Sequence, residues 1–522
     1  MRLFLLPLIA LLVTTCSDAQ LPKPTSLTPP NQPNILLFLA DDWSYPHATI
    51  YGDNTVKTPN FDALARGGRR FTNAYCASPS CSPSRASLLT GRYPHQNGAA
   101  GNLWSEFPAE LTVYPEVLEA AGYRTGFDQK GWAPGDWRAS GRTQNPTGKH
   151  KQDLRDFLDE KAPDQPFCFW FGTYDPHRKY ERGLGVLTGM KPDSVEVPAF
   201  LPDLPCVRND LLDYYAEIER LDRHLGQAVE LLRARGELDN TLIIVTSDNG
   251  MPFPRSKGQT YELSHHMPLA IRWGRGITAP GRTIDDFVSF VDFAPTFLDA
   301  AGITPDRLPH AGPITPTGRS LRPIFESAQS GRIESDRDAV ILGKERHDLG
   351  RPRDGGYPSR GLVSDRWLLT LNARPDRWPA GNPETGYMNT DGGPTKTAIL
   401  NLRRDGIDRR YWDQCFGRRP AVELFDLQSD PDCLTNLAGM PGYAETQSTL
   451  TSRLQQVLVQ QGDPRATGDW PDGVTDFDDY PYSQQRLKGF YEKWQSGWTD
   501  DRGRGVRAGW INDTDLETES VE

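Results

Sequence analysis

The stretch Asn34-Ile35-Leu36-Leu37-Phe38-Leu39-Ala40-Asp41-Asp42 decides the fold. Its apolar run is continuous rather than alternating, as in a strand buried on both faces, and such strands belong to parallel sheets covered by helices. Two aspartates close it at once. Working outward, apolar runs at 167–173, 241–246 and 268–273 alternate with helical patterns at 60–67, 82–90, 151–160 and 210–235. In the last of these, Leu211, Tyr215, Ile218, Leu225, Val229 and Leu232 recur on one helical face. The alternation predicts an α/β fold with a mixed, largely parallel sheet between helices. Active sites in such folds gather at the C-terminal ends of strands.

After about residue 335 the pattern changes. Short runs at 339–343, 361–371 and 422–427 predict a small antiparallel sheet, with a helix over 444–460 packing on it. From Gly462 on, the chain is rich in Asp, Gly, Trp and Tyr without periodicity, so it is expected to wrap over the surface. The N-terminus, Met1-Arg2 followed by a short apolar run, reads as a signal peptide rather than a membrane span. The expected organisation is a signal peptide over 1–19, a linker over 20–33 and a main domain over 34–335. A C-terminal α+β subdomain over 336–461 and an irregular extension over 462–522 complete it. The leader predicts export to the periplasm or medium. Cys16 offers a lipoprotein alternative, although Thr15 fits a lipobox poorly.

The 522 residues exceed one compact core. A formal net charge of −11 argues against a nucleic-acid surface and requires any anion site to be a local basic pocket. Seven cysteines are too few for a disulfide scaffold. Cys415 and Cys433 flank a predicted strand and could pair, whereas Cys168 lies inside an apolar run and reads as a buried free thiol.

Cys81 opens the run Cys81-Ser82-Pro83-Ser84-Arg85, which continues through Leu88-Leu89-Thr90-Gly91-Arg92. Pro83 falls in the first turn of a predicted helix, where a missing N–H costs nothing. A helix N-terminus favours an anion, and Arg85 one turn in adds a forked cation. Asp41-Asp42 and Asp248-Asn249-Gly250 each follow a strand, and two acidic strand ends on one sheet edge suit a hard cation such as calcium.

The Cys81 run closely resembles the signature of type I sulfatases, in which the cysteine is oxidised to formylglycine. The resemblance covers roughly residues 34 to 440 and implies an alkaline-phosphatase-like fold. It implies a calcium ion held by Asp41, Asp42, Asp248, Asn249 and the modified Cys81. Arg85, Lys130, His177 and Lys257 match family positions that contact sulfate. A formylglycine-generating or anaerobic sulfatase-maturating enzyme is the implied partner. Asp175-Pro176-His177-Arg178, residues 247–254 (SDNGMPFP) and 423–438 (ELFDLQSDPDCLTNLA) look most like the sulfamidase-like, or heparan N-sulfatase-like, branch. Bacterial members of that branch act on sulfated polysaccharides such as glycosaminoglycans or ulvan. Glu345-Arg346-His347, Arg351 and Arg353 suit sugar or uronate binding, a solvated loop being the alternative.

One position departs from the family pattern. Where the family shows Gly-Lys-x-His, this chain has Gln129-Lys130-Gly131-Trp132. His47 and His95 are candidates for the missing imidazole, with a structural role the first reading of each. Three alternatives follow: a heparan N-sulfatase proper, a phosphatase or phosphodiesterase of the same superfold, and a silent glycan-binding protein. The His-poor acidic clusters oppose the second, and the intact nucleophile position opposes the third.

Overall fold

The strand expected at the opening stretch is β1 (Asn34–Ala40), and every residue from Ile35 to Ala40 is fully buried. A computed structural model describes residues 32–303 and 316–517. The expected signal peptide, Cys16 and nearly all of the linker lie outside the described residues, as does the end of the extension. From Pro33 on, the described residues belong to one compact unit.

The other strands are β2 (Arg69–Phe71), β3 (Ala74–Tyr75), β4 (Arg124–Gln129), β5 (Phe167–Gly172), β6 (Thr241–Ser247), β7 (Leu269–Arg272), β8 (Arg282–Ile284) and β9 (Val288–Ser289). They are followed by β10 (Ala339–Lys344), β11 (Ser359–Ser364), β12 (Trp367–Asn372) and β13 (Val422–Asp426). The main sheet runs β4-β5-β1-β6-β7-β2-β8. It is parallel through β4, β5, β1 and β6, while β7 is antiparallel to both β6 and β2. The sheet is therefore mixed and largely parallel, as the alternation predicts.

Both faces of β1 are covered. Leu36 and Phe38 pack with the long helix Pro205–Ala234, while Ile35, Leu37 and Leu39 pack with helices Cys81–Thr90 and Phe293–Ala300. The long helix begins at a proline in its first turn, earlier than its apolar periodicity indicates.

Register sets the site. Ala40 pairs with Ser247, and Leu39 with Gly172, so Asp41, Thr173 and Asp248 leave the sheet at one level. Gln129 pairs with the same Gly172, which puts Lys130 beside them. Gly172 is required here: a Cβ would lie 1.9 Å from the Lys130 carbonyl oxygen.

A second sheet runs β10-β11-β12-β13, wholly antiparallel. The expected single run at 361–371 is in fact most of a hairpin, because Asp365-Arg366 turn the chain between β11 and β12. Leu450, Leu454 and Leu458 of helix Ala444–Gln460 pack on Ile341, Leu362, Leu369 and Leu424. The opposite face packs Val340, Leu342, Val363, Leu368 and Phe425 against Tyr75, Tyr261 and Phe287 of the main body. The extension contributes Tyr482, Leu487, Phe490, Val506, Ala508 and Ile511 to a separate cluster with Leu349 and Met388.

The expected Cys415–Cys433 pair does not form: all six described cysteines are free. Cys415 belongs to the core beneath the main sheet and Cys433 to the one beneath the small sheet, so the two thiols face different interiors. Cys168 is a buried thiol, as its apolar run implies.

Candidate active site

Helix Cys81–Thr90 begins at Ser80, an extended residue whose hydroxyl does not cap the helix. The Ser80 Oγ lies instead 2.7 Å from His347 Nδ1. Cys81 occupies the first helical position, and its Sγ donates to Asp41 Oδ1 at 3.5 Å. Burial pushes its thiol well above the ordinary range, against the pull of Lys130 and Lys257. A thiol so held is a poor nucleophile as it stands.

Carboxylates gather beneath it. Oxygens of Asp41, Asp42 and Asp248 lie within 4.8 Å of one another, as do ligand atoms of Asp41, Cys81 and His177. The Asp42 amide donates to Asp248 Oδ1 at 3.1 Å, and Asn249 Nδ2 donates to Asp42 Oδ1 at 2.7 Å. Asp42 has φ 78°, a left-handed conformation that aspartate tolerates better than most residues.

Cations ring the cluster. Arg85 Nε donates to Asp248 Oδ2 at 2.8 Å, and its Nη1 to the carbonyls of Lys130 and Gly131. Lys130 Nζ lies 2.5 Å from Asp41 Oδ2. Lys257 Nζ lies 2.7 Å from Asp42 Oδ2 and 3.2 Å from Asp391 Oδ2. His177 Nε2 lies 3.8 Å from Asp42 Oδ2, while its Nδ1 faces the Arg178 carbonyl at 2.6 Å.

The charges do not balance by proximity alone. Burial drives the Asp41 carboxyl up, but Lys130, His177, Arg85 and Lys257 together outweigh it and hold it well below the carboxylate range. For Asp42 burial wins over Lys257 and His177, and its pKa rises. For Asp248, burial and the Asp41 charge win over Arg85 and Lys130, and its pKa rises to about 6. Three carboxylates therefore share a pocket that one further cation would allow all to ionise. The donor set fits that cation. Asn249 Oδ1 is buried without a hydrogen-bond partner among the described residues, and the remaining donors are carboxylate oxygens, as a hard ion prefers. Arg85 Nη2 is likewise buried and without a hydrogen-bond partner, a donor left for an anion.

All nine sequence-derived site positions thus converge, and two residues outside that set join them, Asp391 unforeseen and His347 expected in another role. Asp391, in the irregular stretch before helix Pro394–Arg404, reaches Lys257. His347, read from sequence as a sugar-binding candidate, meets Ser80 and packs against Gly258, where a Cβ would lie 2.6 Å from its ring. Gly258 has φ +77°, which also favours glycine. Burial, with Lys257 beside it, holds the His347 imidazole well below its ordinary pKa, so it is neutral near pH 7.

Other candidates fall elsewhere. Trp132 is buried, its indole donating to the Ser82 carbonyl at 3.0 Å and standing edge-on to Phe107. His47 pairs with Asp53, and His95 stacks on Tyr93 near Asp463, so neither joins the Cys81 cluster. Glu345 is buried between Arg360 and Arg465, and Arg351 donates to the Trp378 and Pro379 carbonyls. Arg346 lies 3.7 Å over the Tyr482 ring, and the Arg353 amide donates to Glu492. Glu345 and Arg351 are thus committed to the protein's own contacts, whereas all three guanidinium nitrogens of buried Arg346 lack a hydrogen-bond partner among the described residues and Arg353 is exposed.

Comparison with known proteins agrees with this geometry. Human N-sulphoglucosamine sulphohydrolase is 30% identical over 483 residues, spanning 84% of this chain and 92% of that protein. An ulvan-active sulfatase from Formosa agariphila is 26% identical over 500 residues, spanning 84% and 77%. A solved structure described as a complex with its substrate D-glucosamine-2-N,6-O-disulfate superposes with a TM-score of 0.61 at 22% identity, covering 83% of this chain and 99% of that one. The sulfatase family profile matches residues 33–303, and with the nucleophile position, acidic cluster and surrounding cations in place, the chain belongs to the sulfatase family.

Proposed function

We propose that this enzyme removes sulfate groups from a sulfated carbohydrate, with Cys81 matured to formylglycine and Ca2+ held by Asp41, Asp42, Asp248 and Asn249. The observation that carries the reading is the buried Cys81 thiol, 3.5 Å from Asp41 at the edge of a carboxylate cluster ringed by Arg85, Lys130, Lys257 and His177. A plain thiol there is poorly reactive, and the surroundings suit a hydroxyl-bearing group next to a metal. When bound, calcium would neutralise the carboxylates and acidify a coordinated hydroxyl; the aldehyde hydrate would supply a nucleophile with a second hydroxyl to release sulfate.

The chain's own residues do the rest. Arg85 Nη2, 3.8 Å from Asp41 Oδ1 and without a hydrogen-bond partner among the described residues, is free to donate to the sulfate oxygens, and Lys130 and Lys257 offset the negative charge that otherwise repels a nucleophile. The Arg178 carbonyl accepts from His177 Nδ1, which leaves Nε2 to carry a proton to the departing oxygen or nitrogen. His177, whose ring nitrogen lies within 4.8 Å of the Cys81 sulfur, is given to the leaving group, and His347 meets the helix end bearing Cys81 through Ser80. With Nδ1 on Ser80 and no protein partner for Nε2 among the described residues, it takes the base role that Trp132 cannot.

The substrate class draws on the relatives, which are named for glucosamine N-sulfate, N-acetylglucosamine 6-sulfate and ulvan activities. The 30% identity to the N-sulphoglucosamine enzyme favours N-sulfate as a second reading within the same mechanism. Maturation would require a formylglycine-generating or anaerobic sulfatase-maturating enzyme, and the leader-like residues 1–19 are in keeping with export. The test is sulfate release from a panel of N- and O-sulfated glucosamine and ulvan oligosaccharides, by protein co-expressed with a maturase. Wild type releases sulfate and the Cys81→Ala variant does not; equal release by both sinks the reading.

A further inference from the structure

Beside the catalytic cluster lie two adjoining hollows, of about 800 and 710 Å³, that share Lys179, Arg182, Cys206, Gly393, Pro394 and Asn512 in their walls. Each alone is of the size that holds a drug-sized ligand. The first lies next to the site: its wall includes Arg178 and Gly392, the immediate chain neighbours of His177 and Asp391. The second ends against Arg507 and Thr514 of the C-terminal extension.

The charge of this groove runs against that of the molecule. The chain carries a net −11, yet Lys179 and Arg182 have no ion-pair partner among the described residues. The acids in the walls are already occupied. Asp210 takes both Nη atoms of Arg178 at 2.8 Å, Asp213 accepts the Gly183 and Gly185 amides, and Asp513 pairs with Arg507. Asn209, Asn401 and Asn512 add neutral donors and acceptors. Unpaired cations beside uncharged amides, in walls that include the chain neighbours of His177 and Asp391, suit a polyhydroxylated chain bearing further anionic groups.

We propose that this groove holds the sulfate- or carboxylate-bearing sugars next to the one being desulfated, so that the preferred substrate is a multiply anionic oligosaccharide rather than a single sugar. This rests on the sulfatase reading, and the test separates the two. Cys206 is the one exposed thiol among the described cysteines and it lines both hollows, so its alkylation reports occupancy independently of turnover. Iodoacetamide labelling of the matured enzyme, followed by peptide mass spectrometry, is compared with sulfated heparin or ulvan tetrasaccharides and with their desulfated forms. Protection of Cys206 by a sulfated tetrasaccharide alone supports the groove. Protection by neither sulfated form, or equally by the desulfated ones, overturns it. In kinetics, Lys179→Glu/Arg182→Glu lowers kcat/KM for the tetrasaccharide by about tenfold more than for an aryl sulfate, through KM, and flattens its salt dependence. An equal loss on both substrates contradicts the proposal. Should the wild type release no sulfate from any ester while Cys206 remains protected, the groove stands and the proposed activity falls.

Discussion

Arg85 Nε donates to Asp248 Oδ2 at 2.8 Å, while Nη2 of the same guanidinium, 3.8 Å from Asp41 Oδ1, has no hydrogen-bond partner among the described residues. One side chain thus ties the nucleophile helix to the end of β6 and still offers a donor outward. Lysine keeps the charge but cannot span Asp248 and the two carbonyls of Lys130 and Gly131 together. Arg85→Lys is expected to cut sulfate release by about a hundredfold or more and to lower the unfolding midpoint. Activity within about threefold of wild type would show that the fork is not needed.

Asp248 and Asp391 both face cations, but only Asp248 lies in the triad of carboxylates with Asp41 and Asp42. If the triad holds Ca2+ as proposed, adding the ion at about 100 times its Kd is expected to stabilise the wild type by roughly 2.7 kcal/mol. Asp248→Asn is expected to abolish most of that thermal shift. Asp391→Asn is expected to keep it while lowering kcat, because Lys257 loses one of its two carboxylate charge partners. Equal loss of the Ca2+ shift in both variants would place Asp391 among the ligands.

Trp132 occupies the position where a family histidine is expected, and the proposed function gives that base role to His347. Trp132→Phe removes a single hydrogen bond to Ser82 and costs about 1 kcal/mol of stability with most activity kept. His347→Asn is expected to slow turnover at least tenfold at neutral pH while leaving the Ca2+ shift intact. If turnover instead collapses in the Trp132→Phe enzyme alone, the assignment of His347 fails.

His95 and His265 are buried, and burial lowers each to about 3. Both folded values lie below the unfolded value of about 6.5, so the stability involved is present above that pH. It is lost as pH falls toward about 3. Unfolding free energy is expected to drop by up to about 1.4 kcal/mol per pH unit for each imidazole between about pH 6 and 4.5. Denaturant titrations of His95→Gln/His265→Gln should show a shallower slope there; an unchanged slope contradicts the burial argument.

The residues of the carboxylate cluster were legible because a strand end is a local signal. An apolar run followed at once by Asp41-Asp42 or Asp248-Asn249 fixes both direction and level once the strands are parallel. Asp391 gave no such signal: it lies in an irregular stretch, 134 residues beyond Lys257, and resembles any aspartate in a turn. His347 reaches the site because β10 docks on the main body, where the Gly343 amide donates to Ala77. That depends on packing between two sheets, which no local pattern encodes. The expected Cys415–Cys433 pair failed for the same reason: closeness in sequence to one strand says nothing about which core each thiol enters.

The central claim is that Cys81 acts only after oxidation to an aldehyde, and the most direct measurement is the mass of the peptide carrying it. In protein that releases sulfate, that peptide should be lighter than its cysteine form by replacement of sulfur and two hydrogens with one oxygen, and should react with a hydrazide. Full sulfate release by protein whose Cys81 peptide is entirely unmodified would contradict the account.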